Sequence, residues 1–176
     1  MSLLRDVVSV LDAEAVPHAL IGAAAMAIHG VARSTADVDL LVVAARVLRA
    51  DLWSGFERQG ARLRVLKGDF DDPLAGSVRI SLQLSIVDVV VGRYVWQREV
   101  IDAAVPRSIG EFAVPVAQPA GLVLLKLHAG GPKDAWDIRS LLEITPNPTA
   151  LVSDVEQVLP RLPADARRLW EKIRAD

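Results

Sequence analysis

The pattern of apolar and polar positions along the chain predicts alternating helices and strands. Leucines and valines recur at helical spacing over the first dozen residues, which predicts an amphipathic helix there. Further strands are predicted at 18–21, 38–43, 61–66, 78–84, 85–91 and 112–116, where β-branched and leucine-rich runs lie between turn residues. Further helices are predicted at 23–29, 44–59, 94–103, 119–128, 132–142, 151–159 and 164–174. The pattern therefore predicts an α/β (α+β) fold.

The order of these elements changes near residue 117. Strands alternate with helices before that point, whereas the chain after it is entirely helical in pattern. We therefore predict an α/β core at 1–117 and a C-terminal helical portion at 118–176 that packs on the core. A length of 176 residues suits one such unit.

The amino-acid composition limits the kinds of metal site, the partners and the cellular location that are possible. The chain has no cysteine, which excludes disulfides and thiolate metal sites, so any metal needs oxygen or imidazole ligands. A formal net charge of −2 gives no overall attraction to nucleic acid. No stretch resembles a membrane span or a signal peptide. We therefore expect a cytoplasmic protein with no membrane partner.

Three aspartates stand out as candidate chemical groups. Asp37 and Asp39 are two residues apart in or beside a predicted strand, so they project from the same side roughly 6.6 Å apart. Asp88 lies in the middle of an apolar strand, where an ionised carboxylate needs a cation or a strong donor. If the two strands are neighbours, the acids converge on a site suited to Mg²⁺ or Mn²⁺, with Asp88 as the general base.

Each acid also has a purely structural interpretation. Asp37 suits a turn or a cap, and Asp39 suits a solvated strand position. Asp88 suits a salt bridge with Arg33, Arg79 or Arg93. One shared site explains all three acids together, whereas the structural interpretation needs a separate explanation for each.

The segment that contains the first two acids resembles a known signature. It runs Ile21-Gly22-Ala23-Ala24-Ala25-Met26-Ala27-Ile28-His29-Gly30-Val31-Ala32-Arg33-Ser34-Thr35-Ala36-Asp37-Val38-Asp39-Leu40-Leu41-Val42. Further along are Ile86-Val87-Asp88-Val89-Val90, Leu124-Leu125-Lys126-Leu127 and Lys133-Asp134-Ala135-Trp136-Asp137-Ile138. In order and spacing these motifs resemble the polymerase-beta-like nucleotidyltransferase superfamily, in the branch of AbiEii-type toxins and related small prokaryotic proteins. The resemblance covers about residues 17–142.

The resemblance implies a nucleotidyltransferase fold, with a mixed sheet flanked by helices and a C-terminal helical portion. It implies transfer of a nucleoside monophosphate from a nucleoside triphosphate to a hydroxyl on a tRNA, a protein or a small molecule. Asp37, Asp39 and Asp88 would hold Mg²⁺ or Mn²⁺. The residues that would contact or orient the nucleotide are Gly22, Ala23, Arg33, Thr35, Lys126 and Lys133. Membership of the toxin branch implies a cognate antitoxin as a further partner.

One position departs from the family pattern. Ala23 stands where the family usually has Gly or Ser, which removes a hydroxyl or the closest backbone approach to the triphosphate. A non-catalytic nucleotide- or partner-binding module on the same fold is therefore the alternative function.

Several other candidate residues have both a functional and a structural interpretation. Arg33 suits either a phosphate or one of the acids, and Thr35 suits a plain turn. For Asp137 we favour an ion pair with Lys133, four residues before it. The basic residues Arg58, Arg62, Arg64 and Lys67 are interleaved with acids and are interpreted as a solvated surface.

Overall fold

The computed structural model describes residues 2–32, 35, 37–69 and 72–175. Its centre is a mixed seven-stranded sheet with strand order β3-β4-β5-β2-β1-β7-β6. The strands are β1 (His18–Ile21), β2 (Asp37–Val42), β3 (Arg62–Lys67), β4 (Gly76–Leu82), β5 (Ser85–Val91), β6 (Val105–Ile109) and β7 (Phe112–Val116). The helices are α1 (Leu3–Ala13), α2 (Gly22–Ile28), α3 (Ser54–Arg58), α4 (Val95–Asp102), α5 (Pro119–Ala129), α6 (Asp134–Ile144), α7 (Pro148–Val158) and α8 (Ala164–Ala175). The predicted α/β class, with a mixed sheet flanked by helices, is confirmed.

The register of the central strands determines which side chains meet. Strand β2 pairs in parallel with β5 and antiparallel with β1, and β1 pairs in parallel with β7. The β3–β4 hairpin extends the sheet beyond β5 through antiparallel pairing. The hairpin and α2 therefore lie on opposite sides of the β5–β2 pair.

The two faces of the sheet differ in burial around β4 and β5. Val78, Ile80, Val87 and Val89 on one face are fully or almost fully buried. Helix α1 contacts β5, and the segment after β2 contacts β3, β4 and β5. The alternate residues of β4 on the other face are half-buried or exposed. Because side chains alternate along a strand, one face is core and the opposite face is open to ligands at this end of the sheet.

The four C-terminal helices pack against one another around α5. Helix α5 contacts α6, α7 and α8, and it also contacts α2 and α4 of the preceding part. Gly121 explains one close approach, because a Cβ there would lie 2.7 Å from Val100 on α4. The boundary between residues 117 and 118 stays a prediction.

The predicted helix at 44–59 is wrong. The structure has two 3₁₀ turns, Ala45–Leu48 and Ala50–Trp53, followed by the short α3. Arg49 between the turns is extended, with φ −82° and ψ 120°. Trp53 is fully buried, and its Nε1 donates a hydrogen bond to the Val47 carbonyl at 2.8 Å. Burial of this large side chain outweighs the helical propensity of the alanine- and leucine-rich segment.

Strand β6 has no counterpart among the predicted elements. Four of its five residues are exposed, so the alternation that marks a half-buried strand is missing. Pro106 also argues against a strand, although proline is tolerated at a sheet edge such as this one. Only pairing with β7 makes this segment a strand.

Within the residues that the structure describes, no helix is both long enough and apolar enough to cross a bilayer.

Candidate active site

The structure brings Asp37, Asp39 and Asp88 to one place on the sheet. Asp39 on β2 pairs in register with Asp88 on the neighbouring parallel strand β5. Residues paired in this way project from the same face, about 4.8 Å apart. Asp37 is two residues before Asp39 on β2 and shares that face. All three carboxylates therefore lie on the face whose β3–β4 end is open.

Thr35 fixes the backbone at the start of β2. Its hydroxyl accepts a hydrogen bond from the Asp37 N–H at 3.1 Å and donates one to the Asp37 carbonyl at 3.0 Å. This is the turn role that the sequence allows for Thr35, and it orients Asp37. A contact between Thr35 and the nucleotide stays a prediction.

Gly22 is required by the position of Asp39. Gly22 begins α2 with φ +65°, in the left-handed region, and a Cβ built on it would lie 2.1 Å from Asp39 Oδ2. Any side chain at position 22 would therefore collide with the carboxylate as well as strain the backbone. Ala23 follows in the first turn of α2 and is half-buried.

Arg79 on β4 neutralises two of the three acids. It pairs in register with Asp88, and its Nε and Nη2 donate to the two Asp88 carboxylate oxygens at 2.8 and 2.7 Å. Nη2 also donates to Asp37 Oδ2 at 3.2 Å. The hydrogen bonds with Asp88 raise the already high pKa of Arg79. The salt bridge between Asp88 and Arg79, one of the predicted alternatives, is thus present within the acid cluster.

Asp39 is the member of the cluster whose pKa is clearly raised. Burial, followed by the charges of Asp88 and Asp37, raises the pKa of Asp39 to about 6. The positive charges of Lys126 and Arg79 act in the opposite direction but are outweighed. An additional cation would therefore be favourable at this position.

The donor set fits a hard divalent cation in its chemistry. Carboxylate oxygens are the ligands that Mg²⁺ and Mn²⁺ prefer. In the described ranges, however, no three acidic or imidazole side chains are already arranged to share one ion. Because Arg79 holds Asp88 and Asp37, its half-exposed side chain would have to turn away before those oxygens became ligands.

Lys126 belongs to a second, more buried charge cluster. Its Nζ lies 2.8 Å from Asp134 Oδ1 and 2.6 Å from Asp137 Oδ2, both on α6. Burial alone would lower the pKa of Lys126, but the hydrogen bonds to the two aspartates raise it overall. We favoured Lys133 as the partner of Asp137 from the sequence, and the contact that the structure shows is with Lys126. The ammonium group is close enough to Asp39 to lower its pKa.

The other predicted nucleotide contacts are less well placed. Lys133 is exposed at the start of α6, and its backbone carbonyl accepts a hydrogen bond from the Asp137 N–H. Arg33 lies outside the described residues. Binding roles for both residues stay predictions.

A cavity of about 380 Å³ opens beside the acids toward the β3–β4 hairpin. Asp39, Asp88 and Arg79 line it on one side and Arg64 on the other. Ser77, Leu66, Leu74 and Val90 complete its walls. The acids are thus accessible from the hairpin side.

Most of this chain is similar to two solved structures. The antibiotic-resistance factor ANT(2'')-Ia superposes with a TM-score of 0.53 and 14% identity, over 98% of this chain and 91% of that one. The lincosamide antibiotic adenylyltransferase LnuA, solved with lincomycin bound, superposes with a TM-score of 0.52 and 15% identity, over 81% of this chain and 96% of that one. The chain has the nucleotidyltransferase fold. Comparison with protein-family models and with curated proteins gave no significant match.

Two arginines of this nucleotidyltransferase fold were not predicted as parts of the site. Arg79 was considered only as a partner of Asp88, and Arg64 only as part of a solvated basic cluster. Their register reveals them, since Arg64 pairs with Arg79, Arg79 with Asp88, and Asp88 with Asp39. The signal in the sequence is one arginine in each strand of the hairpin, placed so that both side chains project from the same face. This relation can be recognised only once the turn between the two strands is located.

Proposed function

We propose that this chain is a nucleotidyltransferase that moves a nucleoside monophosphate from a nucleoside triphosphate to a hydroxyl. The observation that carries the proposal is the in-register pair of Asp39 and Asp88 with Asp37 on the same open face. The nucleotidyltransferase fold supports it.

In this proposal the three aspartates bind Mg²⁺ or Mn²⁺. The bound ion would supply Lewis-acid neutralisation of phosphate charge. Asp88 accepts the proton of the acceptor hydroxyl, whose oxygen forms a bond to the α-phosphorus while pyrophosphate leaves. Arg79 turns from the carboxylates toward phosphate, for which its planar fork is equally suited.

The nucleotide would bind on the α2 side of the acids. Gly22 lets Asp39 lie against the start of α2, and Thr35 orients Asp37. Lys126 brings positive charge toward Asp39. We propose that Ala23, Arg33 and Lys133 complete the triphosphate contacts.

The first test is Asp39→Asn in a nucleotide-transfer assay with each of the four nucleoside triphosphates and Mn²⁺. We expect a loss of about 100-fold or more in rate, because a neutral amide removes the charge that holds the cation. Asp102→Asn is the matched control, since Asp102 is an exposed acid paired with Arg98 and lies far along the chain from the site. Full activity in Asp39→Asn would exclude the mechanism.

A non-catalytic nucleotide-binding module is the second candidate. Two observations favour it: the ion pairs that hold Asp88 and Asp37 to Arg79, and the alanine at position 23. The two candidates differ in turnover. Calorimetric binding of a nucleoside triphosphate with Mn²⁺, without release of pyrophosphate over hours, would support the binding module.

The toxin role and the tRNA or protein acceptor are further proposals from the AbiEii resemblance. They predict that the chain forms a stable complex with the product of an adjacent small gene. Growth arrest that depends on Asp39 and is relieved by that product would support the toxin role.

A further inference from the structure

A row of four charged side chains crosses the open face of the sheet. Arg64 on β3, Arg79 on β4, Asp88 on β5 and Asp39 on β2 are consecutive partners in register. At about 4.8 Å between strands, Arg64 lies about 10 Å from Asp88 at the backbone. The row is therefore negative at the chemical centre and positive toward the hairpin edge.

The Arg64 side chain is exposed and, among the described residues, pairs with no other side chain. Arg79 is engaged by Asp88 and Asp37, whereas Arg64 has no ion pair or hydrogen bond within the part of the chain that the structure describes. Its side chain lines the cavity of about 380 Å³ together with Asp88 and Ser77. A guanidinium in this setting is suited to bind an oxyanion.

The shape of the site separates donor from acceptor. Gly22 follows Ile21, the β1 partner of Asp39, and so lies on the β1 side of Asp39, where the proposed function puts the triphosphate. The cavity lies on the other side, between Asp88 and the β3–β4 hairpin. A hydroxyl that approaches from this side would reach Asp88, the proposed general base, once Arg79 has turned from that carboxylate.

We propose that this cavity is the acceptor subsite and that it takes a hydroxyl compound bearing a phosphate, with Arg64 as the phosphate-binding residue. This inference rests on the proposed function. Ser77 offers a hydrogen-bonding hydroxyl, and Leu66, Leu74 and Val90 provide apolar walls for the carbon skeleton. The volume suits a ligand of about the size of a sugar phosphate or one terminal nucleotide. The positive edge disfavours polycationic acceptors.

The test is direct binding, measured by isothermal titration calorimetry at fixed ionic strength. Ribose 5-phosphate provides a phosphomonoester, a short RNA without terminal phosphates provides phosphodiesters, and ribose provides neither. We expect one or both phosphate probes to bind, and Arg64→Gln to weaken that binding at least 10-fold. Arg64→Lys, which keeps the charge but not the fork, should lie between. The tighter probe identifies the ester type.

Arg62→Gln is the matched control. Arg62 is exposed on the same strand and the same face, two residues before Arg64, but it does not line the cavity. If Arg62→Gln and Arg64→Gln weakened probe binding equally, general surface charge would explain the effect and the proposal would be overturned. The proposal would also be overturned if neither phosphate probe bound more tightly than ribose.

The binding test and the transfer test fail independently. Loss of transfer in Asp39→Asn together with unchanged probe binding in Arg64→Gln would remove the acceptor assignment and leave the proposed function standing. Arg64-dependent probe binding without any transfer would favour a binding module over an enzyme.

Discussion

Asp39 and Gly22 constrain each other at the scale of single residues. The carboxylate of Asp39 occupies the space that a side chain at position 22 would need, and the left-handed backbone at Gly22 already disfavours other residues. The family resemblance predicts that this glycine lets the backbone approach a triphosphate. The structure adds a contact with Asp39 that exists before any ligand binds.

We expect Gly22→Ala to lower the free energy of unfolding by about 1–3 kcal/mol, because it combines left-handed strain with a clash against Asp39 Oδ2. Urea denaturation checks this value. Gly60→Ala is the control, since Gly60 also has a positive φ, +84°, but nothing lies within 4 Å of its added Cβ. If both variants lose the same stability, backbone strain alone explains the effect and the contact with Asp39 contributes nothing.

The acids could be found from the sequence because strand alternation needs only local information. Asp37 and Asp39 share a face in any strand, and an acid in the apolar run around Asp88 needs a partner wherever that strand lies. The choice of Arg79 over Arg33 or Arg93 could not be made, because it depends on the register of β4 against β5. Register is set by the turn between those strands and by packing, which a single sequence does not specify.

At the scale of elements, the link between α5 and α6 is a buried cluster of charges. Lys126 meets Asp134 and Asp137, and the Asp137 side chain is fully buried. Burying charges is costly unless they are paired, so removing the cation leaves carboxylates in a poorly solvated place. Lys126 is therefore as much a structural residue as a candidate ligand of phosphate.

We expect Lys126→Met to destabilise the fold by about 3 kcal/mol, because it deprives two poorly solvated carboxylates of their common cation. Equilibrium urea unfolding at pH 7 measures the change. Lys172→Met, at an exposed position of α8, should alter stability little. A loss below about 1 kcal/mol in Lys126→Met would show that these ion pairs are effectively solvated.

A histidine joins α5 to α4. The His128 ring makes edge contacts with Tyr94 and Trp96, with centroids 5.3 Å away in both cases, and its Nε2 lies 3.4 Å from the Pro73 carbonyl. Burial lowers the pKa of His128, and the Pro73 carbonyl only partly opposes this. Its Nδ1 is buried without a hydrogen-bond partner in the described ranges. The folded protein therefore favours the neutral ring.

The lowered pKa of His128 makes the stability of the fold depend on pH. Because the folded pKa is below the unfolded value of about 6.5, the stability due to neutral His128 is complete above about pH 6.5 and declines as the pH falls. We expect the stability advantage of wild type over His128→Phe to shrink between pH 7.5 and pH 5. Urea titrations of both proteins measure it, and a constant difference would contradict the prediction.

Most helices and strands could be predicted because their periodicity is local. The helix expected at 44–59 failed because Trp53 reaches back to the Val47 carbonyl and is buried, a tertiary effect that outweighs propensity. Strand β6 was missed because an exposed edge strand lacks the alternation on which the prediction depends.

At the scale of the whole molecule, the sheet order explains how distant segments form one site. Strand β5 lies beside β2 although 42 residues separate the end of β2 at Val42 from the start of β5 at Ser85. The hairpin then extends the open face outward, and α5 places Lys126 close enough to Asp39 to lower its pKa. A short sequence motif thus becomes a site with two distinct sides.

The ion pairs of Arg79 with Asp88 and Asp37 allow the protein to fold without a bound metal. Without a counter-ion, repulsion between the acids would oppose formation of the sheet. In this chain Arg79 on the neighbouring strand supplies that counter-ion. The sheet can therefore close before any cation arrives. If the proposed cation binds, it would replace Arg79 as the partner of Asp88 and Asp37, so the supply of metal would control activity and not folding.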